Sequence, residues 1–144
     1  METKLLSTDR PIAISYIFQT DLLTYTKVDK SKCTLTFNGD WNLINTTIGT
    51  FKIREYPQTD NAGRKFITEL SATVPGHDDD TPEEISNING RKVLLKVEYK
   101  SGKVKIIGTD TAAPRPDIEI NSSTTTQRTF TATFENTEPN RWLQ

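Results

Sequence analysis

Reactive side chains are nearly missing from this sequence: 144 residues contain one cysteine and one histidine. A lone Cys33 cannot build an internal disulfide framework, so composition gives no support for a secreted, disulfide-stapled domain. Transition-metal sites need several nitrogen or sulfur ligands, and His77 with a distant Cys33 does not supply them. Long apolar runs are also missing. The opening METKLLSTDRPIAIS has no apolar core of signal-peptide length, and no later stretch approaches a membrane span. Eighteen basic and nineteen acidic residues leave a net charge of −1. Such a balance makes no electrostatic case for nucleic acid or a membrane surface as the main partner. The expected setting is a cytoplasm, or a particle assembled in one.

Threonine, by contrast, is abundant, with twenty-three residues. Its β-branched side chain suits half-exposed strand positions and disfavours helix. In GRKVLLKVEYKSGKVKIIG, Val93, Leu95, Val97 and Tyr99 alternate with lysine and glutamate, the period of a half-buried strand. A two-residue tip at Ser101-Gly102 would set Tyr99 opposite Val104 and Val97 opposite Ile106. CTLTFNGDWNLI reads as a second hairpin, with a three-residue loop Asn38 to Asp40 pairing Phe37 with Trp41. TFKIREY and KFITELSATV flank the polar loop Pro57 to Arg64. IAISYIF, DIEI and RTFTATF add strands, with the tract Asn121 to Gln127 as a hairpin tip. The expectation is one all-β domain over 1–144, an antiparallel sandwich or barrel of about eight strands. It has a flexible N-terminus (about 1–9) and a C-terminal tail (about 138–144).

The stretch VPGHDDDTPEE holds His77, three aspartates and two glutamates, and it is where chemistry would be sought first. Its pattern fits a helix start. Thr81 and Glu84 form a capping box, and Pro82 falls at the first helical position, where its missing N–H costs nothing. Asn89-Gly90 then ends a short helix near 82–88. Three adjacent aspartates lack the spaced oxygens and glycine turn of a calcium loop, so a capped helix is favoured over weak divalent-cation binding. Among the remaining candidates, Cys33 alternates with Leu35 and Phe37 and reads as a buried thiol. KSGK has the wrong spacing for a phosphate loop. The sequons at Asn45 and Asn121 read as chance in a threonine-rich chain. No catalytic, cofactor-binding or metal-ligating residue is assigned, and no cofactor is expected. Arg141, Trp142 and Leu143 remain as an apolar and cationic anchor at the end of the chain. They either fold back onto the body or dock on a neighbour.

A strand closing in VEYKSGKVKIIGTD, the proline-containing TAAPRP and the final RTFTATFEN with its short tail carry a likeness. From about Asn89 onward the chain resembles small structural and tail-assembly proteins of Bacteroidetes phages and prophages. That resemblance implies a non-catalytic role in a virion or tail. Partners would be other virion proteins or further copies, and location the virion or the host cytoplasm. The competing expectation is a carbohydrate-type binding module in which Trp41, Tyr56 or Trp142 stacks on sugar rings. An enzyme is disfavoured by the scarcity of histidine and cysteine.

Overall fold

The computed structural model describes residues 9–44, 50–74, 88–122 and 126–144. Eleven strands run in chain order: β1 Pro11–Phe18, β2 Leu22–Lys27, β3 Lys32–Phe37, β4 Asn42–Ile44, β5 Lys52–Asp60 and β6 Gly63–Val74; then β7 Val93–Tyr99, β8 Val104–Ile107, β9 Asp117–Ser122, β10 Thr126–Asn136 and β11 Arg141–Leu143. A 3-10 turn at Gln19–Asp21 joins β1 to β2. The strands form a seven-stranded sheet, ordered β2-β3-β11-β8-β7-β1-β4, and a four-stranded sheet, ordered β5-β6-β10-β9. The fold is an all-β sandwich and not a closed barrel.

The larger sheet buries both of its faces. Ile14, Val93, Leu95, Val97, Tyr99 and Ile107 meet Leu70, Val74, Phe130 and Phe134 of the smaller sheet in the main core. From the opposite face, Ile17, Cys33, Leu94 and Ile106 form a second cluster with Tyr25, Leu35 and Leu143. Strands β2 and β1 lie far apart in the sheet order yet contribute to that one cluster, so the sheet curls around it. Burying apolar surface on both sides is the main stabilisation of a small β domain without disulfides.

Two-sided burial accounts for the register at β7–β8. Val97 lies opposite Lys105, and Glu98 opposite Val104. The tip is therefore three residues, Lys100 to Gly102, and the expected two-residue tip is one position out. Gly102, at φ +93, takes the left-handed position such a loop requires. The slip is tolerated because Val104 and Ile106 enter the second cluster, while Lys105 turns into the main core with Val97 and Tyr99.

Other expectations need correction. Strands β3 and β4 do not pair: β4 lies against β1, with Ile14 opposite Ile44, whereas β3 lies between β2 and β11. Phe37 and Trp41 do touch, edge to face at 5.0 Å, but only as side chains at a bend. The stretch 57–64 is no loop. Strands β5 and β6 pair up to Asp60 opposite Gly63, leaving Asn61-Ala62 as the tip. Pro57 is tolerated because β5 is an edge strand. The last seven residues are not a tail, since they contain β11, the third strand of seven. The capping pair Thr81 and Glu84, His77, Asp78 to Asp80 and nearly all of the expected helix lie outside the described residues. Residues 1–8 of the expected flexible N-terminus do too.

Candidate functional site

The sequence-derived anchor, Arg141 to Leu143, is strand β11, and it is built into the body. The chain leaves β10 in the small sheet, crosses at Thr137 to Asn140 and enters the large sheet. There β11 runs parallel to β3 and antiparallel to β8. Asn140 guides the crossing by donating to Thr68 Oγ1 at 2.6 Å. Arg141 is 6% exposed, donating from Nε to the Asp29 carbonyl at 2.9 Å and from Nη1 to Glu138 at 3.0 Å. Glu138 also takes Lys27 Nζ at 2.8 Å. Hydrogen bonds from Lys27 and then Arg141 hold its carboxyl below the usual carboxylate range. These contacts tie β2 to the C-terminal strand.

The two faces of β11 see different surroundings. Leu143 joins the second cluster, near Tyr25 and Cys33. Burial pushes the Tyr25 hydroxyl up to about 12 and raises the Cys33 thiol. Both groups stay protonated at neutral pH, which makes Cys33 a poor nucleophile. Trp142 faces the main core side, edge to face with Tyr99 at 5.5 Å. Lys105 Nζ lies 4.4 Å and Lys103 Nζ 5.1 Å from its ring centroid. Lys105 in turn pairs with Glu55 of the other sheet at 2.9 Å. The three rings considered for sugar stacking thus each carry a cation: Lys96 at 5.2 Å from Trp41, Arg54 at 4.3 Å from Tyr56, and the two lysines on Trp142. A cation over an aromatic face is an attractive contact that a sugar would have to displace.

Among the described residues, no three His, Cys, Asp or Glu side chains gather as a metal site would require, and no helix is long and apolar enough to cross a membrane. What the surface does offer is sheet edges. Strand β5 is guarded by Pro57 and the charges of Lys52, Arg54, Glu55 and Asp60. On β9, the Asn89 side chain covers Ile118, donating to its carbonyl at 3.3 Å and accepting from its N–H at 2.8 Å. Asp117 and Glu119 add charge there. Strand β4 spans three of the described residues, Asn42–Ile44. Strand β2 has six residues, no proline and a single charge, Lys27. Leu23 within it is 60% exposed, and Val28 just after it is 47% exposed. Alternation in the sequence does not single this strand out. Its one signal was LLTYTKV, a β-prone run with few guarding residues.

No family model matches the chain, and no curated protein or solved structure matches it.

Proposed function

We propose that the protein is a non-catalytic structural or assembly subunit, of the phage virion or tail type, working through protein–protein contacts at its sheet edges. The observation that carries this reading is the contrast among the four edges. Among the described residues three are short, charged, proline-bearing or covered by a side chain, and β2 is left open with an exposed leucine in it and an exposed valine just after it. An edge with unpaired N–H and C=O groups is a docking surface for another strand, and proteins that do not use such edges block them. Some charged side chains elsewhere pair with one another, as Lys65 does with Asp60 and Arg54 with Glu69. The resemblance of the region from Asn89 to phage structural proteins points the same way. The location that goes with this reading is the virion, or the host cytoplasm during assembly.

Quantitative mass spectrometry of particles purified from the producing culture tests this. The chain is expected in fixed proportion to the major particle proteins. Its presence only in the soluble fraction would sink the reading.

A further inference from the structure

We propose that β2 pairs with β2 of a second copy, antiparallel, about a twofold axis at Tyr25. The inference rests on the assembly reading above and names the partner of the open edge.

The register on the inner side of β2 fixes which groups point outward. Val28 N donates to the Lys32 carbonyl at 3.0 Å, and Thr26 lies opposite Thr34 with Thr24 opposite Thr36. In an antiparallel pair, bonded and non-bonded positions alternate. Thr24 and Thr26 therefore bond inward to β3, while Leu23, Tyr25 and Lys27 turn their N–H and C=O groups outward. No hydrogen bond from elsewhere in the described chain reaches those backbone groups. Leu23 is the extra residue of a bulge, since Leu22 and Thr24 oppose consecutive residues of β3. That explains its exposure.

Twofold axes at residues 23 to 27 all bring outward groups opposite one another. Those at Thr24 and Thr26 pair only two of the three outward residues on each strand, whereas the axis at Tyr25 pairs all three. An axis at Lys27 would set two like charges against each other, which is destabilising. An axis at Leu23 would fall on the bulge, where the ladder is broken. An axis at Tyr25 avoids both faults. Thr24 then meets the second copy's Thr26, and Lys27 lays its methylene stem along the second copy's Leu23. Each contact occurs twice, and Thr–Thr neighbours across strands are favourable. A twofold axis demands this self-complementarity, and the sequence of β2 supplies it. One strand pair buries less than the roughly 1,200 Å² typical of stable complexes. The dimer is therefore weak and concentration-dependent, as suits a subunit whose many weak contacts add up in a particle.

Sedimentation velocity on the full chain, from micromolar to about millimolar concentration, should show a reversible monomer–dimer equilibrium. Leu23→Lys opposes the second copy's Lys27 at two symmetric places and should weaken dimerisation at least about fivefold, with the melting temperature unchanged. Mixing Thr24→Cys chains with Thr26→Cys chains under mild oxidation should give disulfide-linked heterodimers, and either variant alone far fewer. A chain that stays monomeric, a dimer indifferent to Leu23→Lys, or equal cross-linking by the single variants would overturn self-pairing. If the chain is monomeric and Leu23→Lys still abolishes its incorporation into particles, the assembly reading survives with a different strand on β2.

Discussion

Arg141 shows why a terminal arginine should not be read as free. Its guanidinium is buried, and its Nε and one Nη nitrogen are used by Asp29 and Glu138. Arg141→Ala should cost about 2 kcal/mol, because the Asp29 carbonyl and the Glu138 carboxylate lose a charged donor. Denaturant unfolding measures this. The same cluster gives a pH dependence. Glu138 has its carboxyl depressed in the fold, so its contribution is present above the unfolded glutamate value near 4.5. It is lost as pH falls through the lower folded value. Since the side chain is 39% exposed, solvent screening keeps the effect below about 1 kcal/mol. Glu138→Gln should therefore be slightly less stable than the natural chain at pH 7, with the gap closing below about pH 4. A gap that persists at pH 2 would mean that the carboxylate charge is not what matters. Cys33, fully buried with a raised thiol, should resist alkylation in native buffer and react only on unfolding.

At the scale of elements, the decisive feature is β11. It separates β3 from β8, so removing it would leave each with one unpaired edge in the middle of the sheet and take Trp142 from beside Tyr99. Truncation after Asn140 should lower the melting temperature by more than about 10 °C, or abolish the cooperative transition. Circular dichroism melts measure it, and a shift of only a few degrees would contradict the interior placement. The element scale also divides what the sequence discloses from what it hides. Strands β5 and β6 were legible, as were β9 and β10, because a hairpin writes its pairing in adjacent alternating runs. The β1–β4 pairing and the insertion of β11 between β3 and β8 were not. Contacts between segments far apart in sequence leave no local period, and a three-residue strand is too short to show one. The β7–β8 register failed for a different reason. Alternation implies one wet face, yet Leu94, Val104 and Ile106 fill a second core behind the sheet. Of the candidate site, the anchor residues were legible as unusual but not as interior. The open edge of β2 could be recognised only once the other three edges were seen to be guarded.

At the scale of the molecule, the two sheets are held by apolar packing and, among the described residues, by an ion pair that bridges them, Lys105 with Glu55 at 2.9 Å. Lys105 is 11% exposed at the side chain and Glu55 33%, so the ammonium is the group that has given up most of its hydration. Removing the acid leaves that ammonium buried with only the Tyr99 and Trp142 rings nearby. Removing the amine leaves a carboxylate that water can still reach. The two substitutions should therefore differ in sign or size. Glu55→Ala should cost about 1–3 kcal/mol, less than a fully buried broken pair because Glu55 is partly hydrated. Lys105→Met keeps the packing of the methylene stem without the desolvated charge and should be neutral or stabilising. Carrying Lys105→Met into the Glu55→Ala chain should then restore most of the loss, because no buried cation remains to be compensated. Glu55 also lies 3.5 Å from the Asn140 amide at the crossing between sheets, which offers a rival cause. A double variant as unstable as Glu55→Ala alone would assign the effect to that crossing and not to the ion pair.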